Sequence, residues 1–495
     1  MDNREYIIGI DIGSSSVVMA AGVRNEGGDI SILGVEVQEV EDCVKDGDII
    51  NYIDLGNAIV KAKTALESEL GRRLNSAYIG ISGRSAYCVR YEDYVEINDK
   101  TGCVTENELR ELNARIEMVV PGGGDEIVER IPLRYTIDDR QDVKNPLGAF
   151  GRKLSATYLF VLVGKHQIDR VNRALHRADI KVCGLCVNPT LLPQLLLSRD
   201  EAEEGVAIVD IGSDLTDVSI VKEGKLWYFS SLPIGASAIN NDLHEFLKVS
   251  KKDIDQLKKR YGSATADGVP DNTTVPVKTA GHAKKQILQR NIAEIAEERL
   301  KDIAGFVMRE LKAAKFSTKL PCGVVLTGGS AYLSNIDQLF ARELQMEVRF
   351  GRMLNGVDDE SQQSVSAFPQ SVVVGLLLYG AKHNACETSP ETIRPISANN
   401  SATTPISEAS TEQKADIFTS APPVVVPPIE EVKVEEPKEK NEEVITPQNR
   451  EVVVEPKEEQ DAPKSEEKPK TKEKKSGWMD KFRNWVDDMF TDEYI

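Results

Sequence analysis

The sequence predicts a two-lobed α/β protein, and three observations carry that reading. One strand–turn–strand pattern occurs twice, as Ile8-Gly9-Ile10-Asp11-Ile12-Gly13-Ser14-Ser15-Ser16 and as Val206-Ala207-Ile208-Val209-Asp210-Ile211-Gly212-Ser213-Asp214. Each copy is followed by apolar runs alternating with segments of helical spacing. A further apolar run, Val324 to Leu326, ends in Thr327-Gly328-Gly329. In both copies an Asp-Ile-Gly sequence closes a run that reads as a buried strand, and Val and Ile resume after a few small residues.

The elements follow in order. Tyr6–Ile10, Val17–Val23 and Ile30–Val37 read as strands, then Asp54–Leu70 as a helix and Ala77–Ile81 as a strand. Thr105–Val119 reads as a helix with Glu106 and Glu108 in its first turn, where the helix dipole favours acids. Tyr158–Val163 is a strand and His166–Ala178 a helix. Val206–Val221 begins the second lobe with a hairpin. Helical spacing covers Ala238–Leu247, Lys252–Tyr261, Gln286–Lys315 and Ser371–Lys382. These runs define a split first lobe (1–83 and 164–205), a segment of about 84–163 within it, and a second lobe (206–386).

A chain of 495 residues with 40% hydrophobic content can build more than one core. A net charge of −19 argues against nucleic acid as a partner. Seven scattered cysteines suggest reduced thiols in a cytosolic protein. Cys183 and Cys186 form a CxxC without a second pair or a His at ligand spacing, which argues against zinc; two buried small residues on a strand is the better reading than redox chemistry. The N-terminal residues show no signal-peptide pattern, and no apolar run reaches transmembrane length.

Residues 387–475 are rich in Pro, Glu, Lys, Ser and Thr. Such a composition predicts a disordered linker, because too little apolar surface is available to offset ordering entropy. Its apolar clusters, Val424-Val425-Val426 and Val452-Val453-Val454, read as incidental or as short docking motifs. The pattern changes again over 476–495. Trp478, Phe482, Trp485 and Met489 recur at i, i+4, i+7 and i+11, and Met479, Val486 and Phe490 widen the same helical face. Lys470, Lys472, Lys474 and Lys475 lie just upstream. An amphipathic helix with no core of its own, next to basic residues, fits an anionic lipid surface; docking in a partner's groove is the alternative.

The paired turns point to a nucleotide. Gly13, Ser14 and Ser15 on one side, and Gly212 and Ser213 on the other, present backbone amides to phosphate oxygens. Asp11 and Asp210, at the strand ends, suit Mg²⁺ or its waters. Gly328, Gly329 and Ser330 leave room for an adenine or ribose.

The order of these elements resembles the actin, sugar-kinase and heat-shock-chaperone ATPase superfamily. Within it the chain resembles the family of the bacterial cell-division protein FtsA, over roughly residues 6–382. The resemblance is carried by Tyr78-Ile79-Gly80-Ile81-Ser82-Gly83, by Leu232-Pro233-Ile234-Gly235-Ala236 and by Leu326-Thr327-Gly328-Gly329-Ser330-Ala331. Asp255 to Gly262 and Ile287 to Ile295 also match. It implies an actin-like ATPase fold with an inserted interaction subdomain in the first lobe, here about 84–163, and an outer subdomain of the second lobe near 236–305. It implies ATP and Mg²⁺ in the interlobe cleft, head-to-tail self-association into filaments, and further division proteins as partners. It implies that the outer subdomain grips the C-terminal tail of the ring protein FtsZ, with Arg290 as the best single candidate; Glu294 is a candidate for the ribose. The expected place is the cytoplasmic face of the inner membrane at the division site, as a peripheral protein.

The chain also departs from the family pattern. The second loop, Asp210-Ile211-Gly212-Ser213-Asp214-Leu215-Thr216-Asp217, has Ser, Asp and Leu where Gly, Gly and Thr are usual. Ser15-Ser16 stands where a lysine is frequent. Asn188 stands where Glu is frequent, and Asn is a poor general base. With Asp210 and Asn188 as the catalytic candidates, slow or absent ATPase activity is expected, ATP serving as switch or structural ligand. The alternatives are a nucleotide-dead membrane scaffold of the same fold and, with less support, a small-molecule kinase.

Overall fold

The computed structural model describes residues 5–383 except 99, 139, 279–283 and 366–369. Its architecture is a duplication. The first sheet has five strands in the order Lys181–Val187, Ser76–Ile81, Tyr6–Ile12, Ser16–Arg24 and Ile30–Glu39. The second sheet repeats it with Val348–Phe350, Val324–Thr327, Val206–Ile211, Thr216–Lys222 and Lys225–Leu232. In both, an antiparallel three-stranded meander is extended by two parallel strands. Parallel additions need long crossovers, and those crossovers hold the helices and the inserted segment.

Side-chain alternation explains how the second sheet is buried on both faces. Ala207, Val209 and Ile211 pack with the helices Ala236–Leu247, Gln289–Ala313 and Ile336–Leu344. Val206 and Ile208 face the other core, which includes Leu191, Leu192 and Leu195 of the helix Asn188–Leu196. The first sheet lies between the helix pair Tyr52–Leu70 and Lys165–Arg177 and the apolar helix Ser371–Lys382. A strand with both faces covered must be apolar throughout, which is why these runs stand out in the sequence.

The inserted segment forms its own antiparallel sheet, in the order Ala86–Glu96, Lys153–Gly164, Asp125–Ile137 and Arg140–Val143. Leu154, Ala156, Tyr158, Phe160 and Leu162 face the helix Glu106–Glu117, whose N-cap Thr105 and Glu108 make a capping box. Leu159, Val161 and Val163 face the main core instead. The insert also reaches the second lobe: Lys225 Nζ donates to the Leu133 carbonyl at 2.5 Å, and Phe229 N donates to Cys88 Sγ at 3.4 Å.

Two expectations need correction. The helix expected from 286 begins at Gln289, because Lys284–Leu288 pairs as a strand with Thr274–Lys278; its lone buried residue, Ile287, is enough to fix it to the core beneath. Cys183 is disulfide-bonded, so the expectation of reduced thiols throughout fails there. It lies on the edge strand of the first sheet, with no strand beyond it. Cys186, three residues further on, is a free buried thiol pushed well above its usual value by burial. No helix among the described residues is long and apolar enough to cross a membrane.

The outer part of the second lobe is pinned by a buried ion pair. Arg299 Nε and Nη2 donate to the Asp242 carboxylate at 2.7 and 2.9 Å, tying Gln289–Ala313 to Ala236–Leu247. Removing one partner leaves the other charge buried and uncompensated. Arg299→Leu is expected to lower stability by about 3–5 kcal/mol. The double variant with Asp242→Leu should recover much of that loss in a denaturant titration.

Candidate functional site

The two Asp-Ile-Gly turns sit at equivalent places in the two sheets, and they place carboxylates near one another at the seam between the lobes. Asp11 ends one central strand and Asp210 the other. A third, Asp217, stands opposite Asp210 in the antiparallel register. Burial raises Asp11 to about 7, opposed by an Asn188 hydrogen bond and reinforced by Asp217. Burial, then the charges of Asp217 and Asp11, push Asp210 well up. Burial raises Asp217 to about 6 despite hydrogen bonds from Ser231 and Ser82. All three are carboxylates whose charge is poorly solvated and shared.

The surrounding side chains show which atoms are committed. Asn188 Nδ2 donates to Asp11 Oδ1 at 3.0 Å, which leaves Asn188 Oδ1 buried without a partner among the described residues. Asp217 Oδ1 is likewise buried and has no partner among the described residues, while Ser82 Oγ donates to its Oδ2 across the lobe boundary. Ser82 and Ser231 hydroxyls stand 3.3 Å apart. Unsatisfied buried acceptors are costly and call for a donor or an ion. These acceptors and the three carboxylates suit a hydrated divalent cation. Among the described residues no group of three or more acidic, His or Cys side chains converges to hold a metal directly.

The phosphate-loop candidates resolve into two kinds. Gly13 N and Gly212 N close their own turns, donating to Ser16 O at 3.0 Å and Leu215 O at 2.9 Å. They are therefore structural, and the open amides of these turns belong to Ser14 and Ser15 and to Ser213 and Asp214. The carbonyls of Gly212 and Ser213 accept from Ala236 N and Ser237 N, at 3.0 and 2.8 Å, so the second loop is bound to the helix that begins at Ala236. Two glycines clamp that loop. A Cβ at Gly235 would lie 2.4 Å from Ser213 O, and one at Gly328 would lie 2.2 Å from Asp210 Oδ1, where φ is +89°. Neither position accepts a side chain. Ser330, buried in the short 3₁₀ turn Gly329–Tyr332, faces Gly212 O at 3.5 Å. Gly235 and Asp217 were not singled out as site residues from the sequence, though Asp217, a carboxylate just before the apolar residues Val218, Ile220 and Val221 of its strand, carries a legible signal.

Asp214, the unusual residue of the second loop, has a like-charged neighbour on the first lobe. Burial, then the Asp214 charge, raise Asp46, against Lys45 and Arg84. Asp46 sits in the turn between Val44–Lys45 and Asp48–Ile49. That turn is seated by Gly47, where a Cβ would lie 2.2 Å from Ser82 O.

Arg290 and Glu294 are paired with each other at 3.0 Å, and Arg290 also donates to Asp271. Arg290 is therefore already balanced by two carboxylates, and Glu294 by a cation. An acidic peptide at Arg290 or a ribose at Glu294 would have to displace these contacts. Trp478, Met479, Phe482, Trp485, Val486, Met489 and Phe490 lie outside the described residues.

This duplicated fold with facing Asp-Ile-Gly turns is that of an actin-like protein. A solved structure titled PilM-PilN type IV pilus biogenesis complex has the same fold, with a TM-score of 0.54 at 14% identity, covering 76% of this chain and 98% of that one. The sequence comparisons go further. A family model described as SHS2 domain inserted in FTSA matches residues 83–162, and one described as Cell division protein FtsA matches 207–368. The cell division protein FtsA of Pseudomonas aeruginosa is 28% identical over 384 residues, 76% of this chain and 89% of the relative. That of Bacillus subtilis is 28% identical over 70% of this chain and 79% of its own length, and that of Escherichia coli K12 is 25% identical over 76% and 91%. Over about three quarters of its length the chain is similar to these cell division proteins, and the matched models cover its insert and most of its second lobe.

The raised carboxylates give a testable pH dependence. A carboxyl whose folded value exceeds its unfolded value binds more protons when folded, so stability falls as pH rises from about 4 through about 7. Replacing Asp11 with Asn removes one such group. Asp11→Asn is expected to flatten this decline and to raise stability at pH 8 by about 1–2 kcal/mol, read by thermal unfolding at pH 5 and pH 8.

Proposed function

We propose that this protein couples the FtsZ ring to the cytoplasmic face of the membrane and self-assembles there, with ATP and Mg²⁺ in the interlobe cleft as a switch. The observation that carries the nucleotide part is the facing pair of turns, with open amides at Ser14, Ser15, Ser213 and Asp214 around three raised carboxylates. Bound Mg²⁺ would supply charge neutralisation between carboxylates and phosphates. Asp11 and Asp210 would hold its waters, and Asn188 would orient Asp11 through their hydrogen bond. Asn188 Oδ1 can accept a hydrogen bond from a water, but it cannot take its proton at neutral pH. Hydrolysis would accordingly be slow, and binding would act chiefly by favouring one interlobe angle.

The membrane part of the proposal rests on the aromatic face from Trp478 to Phe490 and on the lysines before it. The FtsZ tail, an acidic peptide by this reading, would approach the outer part of the second lobe near Arg290. Self-association and further division partners are the family's implication for this chain.

Two measurements test the proposal. Calorimetric titration with Mg-ATP should show binding that Asp210→Ala abolishes in a protein that remains folded. No binding to the unmodified chain would favour a nucleotide-free scaffold. A chain ended after Lys475 should no longer cosediment with vesicles containing anionic lipid. Undiminished cosedimentation would remove the C-terminal segment from the account.

A further inference from the structure

The helices Tyr52–Leu70 and Lys165–Arg177 cover one side of the first sheet, and their outer face is used neither by the cleft nor by the outer part of the second lobe. Gly56 brings the two helices together, since a Cβ there would lie 2.8 Å from Arg177 Cδ. Arg177 donates to Asn57 at 2.8 Å, and Tyr52 shares a groove with Asp169, Arg173 and His176. Three apolar side chains at the entrance to the first helix stay out of the core. Ile50, Tyr52 and Ile53 are exposed by 63, 39 and 43%. Asn51 is the N-cap, so Ile50 holds the place whose side chain commonly packs against the fourth helical residue. That residue, Leu55, is fully buried, while most of Ile50 remains in water.

The second helix supplies charge of the sign opposite to that of the whole protein. It carries Lys165, Arg170, Arg173 and Arg177 against one acid, Asp169, on a chain of net charge −19. Among the described residues no carboxylate lies within ion-pair distance of any of the four cations. Asp54, in the first turn of the neighbouring helix, accepts from the N-cap Asn51. A cation excess that the fold does not neutralise, beside apolar side chains that protrude, is complementary to a surface that is anionic outside and apolar beneath.

We propose that this face of the folded first lobe is itself a membrane contact, which lies on anionic lipid with Ile50, Tyr52 and Ile53 at headgroup depth and Lys165, Arg170 and Arg173 among the lipid phosphates. It deepens the membrane reading given above, and it is carried by different residues from the C-terminal segment. Lipid fits better than an acidic protein because Ile50 and Ile53 protrude instead of lining the groove that Tyr52 shares. A bilayer accepts such side chains without a matching pocket. The contact would seat the first lobe on the bilayer and leave Arg290, on the other lobe, open to a partner in solution. Salt would weaken it, since the cations are exposed or half-exposed.

The test uses the full chain with a photo-crosslinking amino acid at Ile53 and, for comparison, at Tyr332, an exposed aromatic on the second lobe. On vesicles of phosphatidylglycerol and phosphatidylcholine, lipid adducts are expected at position 53 and not at position 332. Arg170→Glu with Arg173→Glu should lower the adducts at 53 by roughly tenfold, while the protein still cosediments through its C-terminal segment. Circular dichroism checks that the substitutions leave the fold intact. Cosedimentation without lipid adducts at 53 would overturn the proposal and leave the C-terminal reading standing. A chain that neither cosediments nor forms adducts would remove both. Equal labelling at 53 and 332, or adducts that charge reversal does not change, would also overturn it. So would adducts at 53 to protein in place of lipid, which would assign this face to a second copy or an acidic partner.

Discussion

Three carboxylates crowded at one seam are the constraint around which this protein is organised. Asp11 and Asp210 end the central strands of two equivalent sheets, and register alone sets Asp217 beside Asp210. No cationic side chain is among the main influences on any of the three. Their partners are neutral: Asn188, Ser82 and Ser231. Neutral hydrogen bonds lessen the cost of burying negative charge but do not cancel it. The empty-handed acceptors on Asn188 and Asp217 belong to the same imbalance. A site that is costly without its ligand is also one whose ligand has leverage over the fold.

The seam has mechanical connections outward. Ser82, which donates to Asp217, directly follows a first-sheet strand and leads into the insert. The second loop is bound by its carbonyls to the helix Ala236–Leu247, and the buried Arg299–Asp242 pair passes that helix's position to Gln289–Ala313. The insert, covalently part of the first lobe, grips the second-lobe strand Lys225–Leu232 through Leu133 and Cys88. A change in interlobe angle must therefore strain or break contacts in both the insert and the outer helices. Those are the surfaces on which assembly and partner binding are proposed, so nucleotide and partner would act on one equilibrium.

Much of this was legible in the sequence because the buried strands are nearly all apolar. Ile8–Ile12 and Val206–Ile211 stand out for that reason, and their shared Asp-Ile-Gly ending marks the duplication. What was not legible depends on distant pairing. Lys284–Leu288 has helical neighbours but is a strand, because Thr274–Lys278 lies beside it. The structural role of Gly13 and Gly212 follows from hairpin closure, which composition does not reveal. Arg290 looked like an available cation until Asp271, nineteen residues upstream, was seen to face it. The hydrogen bond across the lobes from Ser82 to Asp217 spans 135 residues and has no local signature.

The central claim is that ligand binding at the carboxylate seam fixes the angle between the lobes. Its most direct measurement is the interlobe distance distribution by electron–electron double resonance, with spin-labelled residues at Lys61 and Lys312, without ligand and with saturating Mg-ATP. The account predicts a broad distribution that narrows and shifts with ligand, and that Asp210→Ala leaves broad. A distribution unchanged by ligand, under conditions where calorimetry shows binding, would contradict it.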